Sequence, residues 1–243
     1  MKKNKIGILI FVFALLLFSK NVSAQSNSYY ENNNGVIVTE KEYQFINDFY
    51  GSDYFKSMKQ EDYIWLKDLN INENKVEIKT FYDMNSLSRG TSHTTASKKL
   101  TIAKSCSTNC SIIVKCQWLK NPVVRSYDVI GARLSGTEVI SSITTKVTSN
   151  EGTEYFSNLK TLSSGFGVSV QLPSGTGISI EQKYVVSKGG SVYASYQHAQ
   201  SSISLTNSKL YTISSSGYGG VFNFYGNASG IYDQMGGVNI KLS

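Results

Sequence analysis

The chain has 243 residues, with 24 Lys and Arg against 17 Asp and Glu, a formal charge of +7, three Cys and two His. Three cysteines exclude a disulfide-dense scaffold, and two histidines with three cysteines at no ligand spacing exclude a zinc module. With twenty Gly, two Pro and abundant Ser and Thr, the composition is that of short strands and turns.

The start, MKKNK, is followed by the apolar run Ile6 to Phe18 and by Val22-Ser23-Ala24. Basic start, apolar core and small-residue cleavage site are the three parts of a secretory signal peptide, so residues 1–24 are expected to be removed after Ala24. The apolar run falls short of the roughly 20 residues that span a bilayer, and Gln25 rather than Cys follows the cut, which argues against a lipoprotein. The expected product is secreted and extracellular. Loss of Lys2, Lys3, Lys5 and Lys20 lowers the charge from +7 to +3. The remainder is uneven: residues 25–85 hold eleven acidic and six basic side chains, residues 86–243 six acidic and fourteen basic. An acidic head and a basic body result, and such a body suits an anionic polymer outside the cell, with the head docking on it as an alternative.

Residues 25–38 are polar and low in complexity, a flexible leader. Thr39 with Glu42 makes a capping box, and Tyr43, Ile46, Phe49 and Tyr50 recur at helical spacing, which predicts a helix over Glu40 to Tyr50 ended by Gly51. Ser57 to Gln60 offers a second box before Tyr63, Ile64 and Leu66. Residues 39–70 therefore read as a helical hairpin whose aromatics pack on the β body.

The β body, residues 75–243, opens with a strand at Lys75 to Thr80, and Asp83 to Ser97 reads as a long exposed loop. In the segment from Leu100 to Trp118 the apolar residues Leu100, Ile102, Cys106, Cys110, Ile112, Val114, Cys116 and Trp118 share even parity and so one strand face. A three-residue turn at Ser107, Thr108 and left-handed Asn109 sets Ile102 opposite Val114 and Leu100 opposite Cys116. Asn121-Pro122 marks a turn, Val123 to Ile130 is extended, and Gly131 marks a bulge or a close approach. Further strands are expected at Ile140 to Thr148, Phe166 to Leu172, Ile178 onward, Val192 to His198, Ile203 to Leu205, Leu210 to Ser214, Val221 to Tyr225 and Val238 to Leu242. The fold class is mainly β, an antiparallel β-sandwich with a short N-terminal helical hairpin.

Few chemistries find support. Cys106 and Cys110 face each other across the hairpin tip and can bridge, although hydrogen-bonded partners suit a disulfide less well. Cys116 reads as a buried thiol. A Cys116 pair with His198 or His93 lacks any local motif. The body carboxylates Asp128, Glu138, Glu151, Glu154, Glu181 and Asp233 permit a hydrolytic pair without singling one out. Gly217 to Gly237 lacks the lysine of a phosphate loop. No metal, cofactor or nucleic-acid partner is indicated. Two polar-aromatic groups stand out, one of Arg125, Tyr127, Asp128 and Arg133, the other of Tyr193, Tyr196, Gln197 and His198. From these, with Trp118, the expected binding residues are Trp118, Arg125, Tyr127, Arg133, Tyr196 and His198, suited to a sugar ring or an anionic polymer.

The stretches WLKNPVVRSYDVIGARL, VYASYQHA and YDQMGGVNIKL, with VTEKEYQFINDFY and MKQEDYIWL in the head, resemble small uncharacterised exported proteins of low-GC Gram-positive bacteria. The resemblance implies secretion and carries no activity. The expected function is thus non-enzymatic binding of an anionic cell-envelope polymer, a glycan or a partner protein. Alternatives are a membrane-active, pore-forming-like protein using strands between Ile140 and Leu205, and an envelope-polymer hydrolase.

Overall fold

The computed structural model describes residues 28–84, 96–157, 159–162, 164–204, 210–214, 220–233 and 235–243. The signal-peptide reading, His93 and Leu205 lie outside the described residues.

The head begins with a small hairpin, β1 (Tyr29–Glu31) and β2 (Ile37–Thr39), followed by three short helices: α1 (Glu40–Tyr50), α2 (Tyr54–Ser57) and α3 (Gln60–Lys67). Thr39 caps α1 as the sequence requires. The Glu42 amide donates to the Thr39 hydroxyl at 3.3 Å and the Glu42 carboxylate accepts from the Thr39 amide at 2.8 Å, so two orphan donors of the first turn are satisfied. The second box is displaced: Ser57 closes α2, and α3 is capped by Asp62, which accepts from the Lys59 amide at 3.2 Å. The expected hairpin is therefore a three-helix unit, because the chain turns once more at Gly51 to Asp53 than the two-box reading allowed.

The β body has two antiparallel sheets. One contains β3 (Val76–Met84), β4 (Ala96–Cys106), β5 (Asn109–Trp118), β7 (Thr144–Ser149), β8 (Gly152–Phe156) and β11 (Ser179–Ser187), in the order β3-β4-β5-β11-β7-β8. The other contains β6 (Tyr127–Ser135), β9 (Leu159–Leu162), β10 (Gly165–Gln171), β12 (Ser191–Gln197) and β15 (Gly237–Lys241), in the order β15-β12-β6-β10-β9. A separate hairpin pairs β13 (Tyr211–Ile213) with β14 (Phe222–Phe224).

The register of β4 with β5 sets Ile102 opposite Val114 and Leu100 opposite Cys116. Asn109 is not left-handed, however. It already belongs to β5, its carbonyl accepts from Ser107, and the one non-glycine positive φ among the described residues is at Asn70. The reading of Asp83 to Ser97 as a loop is also corrected at both ends, since Asp83 and Ser97 are strand residues and Ser97 is buried. Ile203 lies outside any strand.

Even-numbered residues of β4 and β5 join Ile130, Ala132, Phe166, Val168, Val192 and Ala194 of the second sheet in one buried cluster. The opposite face of β4 and β5 carries Ala103 and Ile113, which pack under Phe45, Ile46, Phe49, Trp65 and Leu66 of the head. Ile113 breaks the alternation because its strand is covered on both sides. Gly131 is a close approach within a regular ladder: it pairs with Gly167, and a Cβ there would stand 2.1 Å from the Phe166 carbonyl oxygen. Gly167 in turn lies beneath the rings of Tyr211 and Phe222, so the β13–β14 hairpin covers the outer face of the second sheet.

The charge division of the sequence resolves into contacts. Lys98 pairs with Asp83 at 3.3 Å, Lys104 with Glu77 at 3.1 Å, Lys146 with Asp62 at 3.6 Å and Lys183 with Asp68 at 2.7 Å. Trp65 lies between the ammonium groups of Lys146 and Lys183, each 4.6 Å from its ring. Much of the basic excess is thus turned inward against the first 85 residues of the chain.

Candidate functional site

Strand parity brings the site together. Asp128 sits two residues before Ile130 on β6, Tyr196 two after Ala194 on β12, Trp118 two after Cys116 on β5, and Lys98 two before Leu100 on β4. All four lie on the core-facing parity at one end of the two sheets, where side chains alternate by two. His198 follows one step beyond the Gln197 to Val129 pair, so it falls opposite Asp128 although 70 residues separate them.

Asp128 is fully buried. Its carboxylate accepts from the Tyr196 hydroxyl, from the Ala199 amide at 3.0 Å, and lies 3.0 Å from His198 Nδ1 through either oxygen. Burial pushes the Asp128 carboxyl above its ordinary value, with hydrogen bonds from His198, Tyr196 and Ala199 pulling the other way. The Tyr196 hydroxyl also accepts from Trp118 Nε1 at 3.0 Å, and burial followed by the Asp128 charge raises its pKa. Trp118, Tyr196, Asp128 and His198 form one connected network, the arrangement that buried polar groups require.

A second network abuts it. The Lys98 ammonium, 3% exposed, is held by Asp233 and, at 3.3 Å, by Asp83. Burial depresses the Lys98 pKa most strongly of any single cause, but the charge and hydrogen bond of Asp233 together with Cys116 and Asp83 outweigh it and leave the group above its ordinary value. The other Asp233 oxygen accepts from the His198 amide at 3.0 Å. The Lys98 ammonium stands 5.3 Å from the Trp118 ring, and the His198 ring meets that indole edge-on at 4.7 Å.

Asp83, Lys98, Trp118, His198 and Asp233 of the two networks line an open groove of about 640 Å³ together with the loop from Lys120 to Val124, while Asp128 and Tyr196 are buried behind them. Val123 stands at the rim, 98% exposed. Of the six expected binding residues, Trp118 and His198 line the groove, and Tyr196 is buried behind them, bonded to Trp118 and Asp128. Arg125, Tyr127 and Arg133 do not. Arg125 donates to the Pro173 and Gly175 carbonyls at 2.7 and 2.9 Å and fixes that turn. The Tyr127 carbonyl accepts from the Tyr232 hydroxyl at 2.6 Å. Arg133 lies 4.8 Å over the Tyr193 ring and donates to the Ser214 carbonyl, on the opposite face of the second sheet from the core. Lys98 and Asp83 escaped the sequence reading, and Asp128 and Asp233 were visible only as members of a carboxylate list. The available signal was a charged residue on the apolar parity, as at Lys98 and Asp128.

Cys106 and Cys110 are joined in a disulfide, and Cys116 is a buried free thiol. Burial raises the Cys116 pKa well above its ordinary value, so it offers no thiolate to His198. Among the described residues no group of three or more His, Cys, Asp or Glu is arranged to hold a metal ion. No helix among them is long and apolar enough to cross a membrane.

No protein-family model matches the chain, and no curated protein matches it either. Among solved structures the chain is similar to the collagen-binding domain of the Erysipelothrix rhusiopathiae surface protein RspB, with a TM-score of 0.31 and 9% identity. The match covers 51% of this chain and 49% of that one, so the chain spans about half the length of the structure it matches. A likeness at this level assigns neither ligand nor mechanism.

Proposed function

We propose that this chain is a secreted, non-catalytic binding module: a β-sandwich with a helical cap that presents the groove at Trp118 and His198 to a component of the cell envelope or its surroundings. The observation that carries the reading is the groove itself. Its floor consists of polar side chains fixed by buried partners, and preorganised polar groups in a concavity of this size are what ligand sites require. The lysines engaged with the head disfavour a purely electrostatic contact with an anionic polymer.

Retention of the purified chain on isolated cell-envelope material tests the proposal. Retention is expected to survive about 1 M salt, where exposed ion pairs are screened, and to fall at least about tenfold in Val123→Asp at the groove rim. Retention that is unchanged by Val123→Asp, or that vanishes with salt, overturns it. Anionic and zwitterionic liposomes are expected to stay intact with the chain present, and dye release would favour the membrane-active alternative instead.

A further inference from the structure

The chemistry of the groove also selects among ligand classes. Resting on the binding reading above, we infer that the groove takes a neutral, polyhydroxylated ligand, a glycan, through hydrogen-bond acceptors at His198 Nε2, Asp83 and Asp233.

The argument starts from the buried carboxylate. A carboxylate 3.0 Å from His198 Nδ1 fixes the proton on that nitrogen. In that tautomer the other ring nitrogen, Nε2, carries the lone pair on the ring edge away from Asp128, and His198 lines the groove. Beside it the Lys98 ammonium is already engaged by Asp233 and Asp83. The charged groups around His198 are Asp128 behind it, Asp233 at its amide, and Lys98, Asp83 and Lys120 along the groove. The three carboxylates outnumber the two ammonium groups by one. A phosphate or carboxylate ligand would meet that excess and find the buried Lys98 already paired. Sugar hydroxyls meet the opposite situation, since a carboxylate that already holds one or two donors keeps further lone pairs that can accept a hydroxyl proton. Trp118 is nine-tenths buried and serves as a wall. Together with Pro122 and Val123 it gives the carbon face of a sugar ring an apolar surface.

The test follows the Trp118 indole N–H by NMR in the purified full chain, assigned with Trp118→Phe. The probes are hexamers of β-linked glucose, β-linked N-acetylglucosamine and α-linked glucose, with polyphosphate and hexalysine as charged comparisons. A neutral hexamer is expected to shift the Trp118 signal, and to bind at least about tenfold more weakly in His198→Leu. His198→Gln, which keeps an acceptor, is expected to lose less. A shift with polyphosphate or hexalysine and none with the hexamers overturns the glycan inference and leaves the groove reading intact. No shift with any probe overturns the inference, and joined with envelope retention unaffected by Val123→Asp it overturns the groove reading too.

Discussion

The ammonium of Lys115 lies 4.3 Å from the centre of the Tyr50 ring, so the longest helix of the head is seated on a charge that the six-stranded sheet buries. Burial lowers the Lys115 pKa to about 8, with Glu181 opposing and Lys99 and Lys146 adding to the effect. A base whose folded pKa is depressed costs stability below that value, because the unfolded chain binds the proton more readily. Stability is therefore expected to rise as pH increases above about 8. The buried hydroxyls of Tyr50 and Tyr196, held neutral chiefly by burial, reverse the trend once unfolded tyrosines ionise near pH 10. Denaturant midpoints across this range should show a maximum, and Lys115→Met should remove the rise and add roughly 1–3 kcal/mol at neutral pH.

Asp128 holds three donors and is fully buried. Asp128→Ala leaves all three unpaired and is expected to cost about 3 kcal/mol or more. Asp128→Asn retains an acceptor and should cost less. Urea unfolding of the two variants checks the order, and equal costs would place the loss in packing rather than in hydrogen bonding.

The cap of α1 lies within the head, where the Thr39 hydroxyl also donates to Asn72 Oδ1 at 2.5 Å, and its worth is separable from the contacts between the sheets. Thr39→Ala should lower stability by about 1 kcal/mol with the denaturant slope unchanged.

Thiol chemistry distinguishes the three cysteines. The native chain should show no rapidly reacting thiol. The denatured, unreduced chain should show one, from Cys116, and the denatured, reduced chain three. Three thiols before reduction would contradict the Cys106–Cys110 bridge.

Gly131→Ala tests the close approach of β6 and β10. The added methyl would stand 2.1 Å from a backbone oxygen, so one strand must move, and a loss of roughly 2–4 kcal/mol is expected from unfolding curves.

The sequence by itself determined what is written in neighbouring residues. Thr39 and Glu42 marked the start of α1 because capping spans three positions, and the even parity of Leu100 to Trp118 with a three-residue turn at 107–109 specified the β4–β5 register, because side chains alternate by two and the turn length excludes slips. Gly131 was legible as either a bulge or a close approach, and the structure chose the latter. Only the tertiary structure decided which sheet each strand joins, because an apolar face is satisfied by any complementary face. That choice sent β10 and β11, consecutive in sequence, into different sheets. It turned Arg125 and Arg133 away from Asp128 and set His198 against it. It also spent Lys146 and Lys183 on Asp62 and Asp68 of the head. Periodicity records which side of a strand is buried; the partner across the core is a long-range choice fixed by packing the whole chain at once.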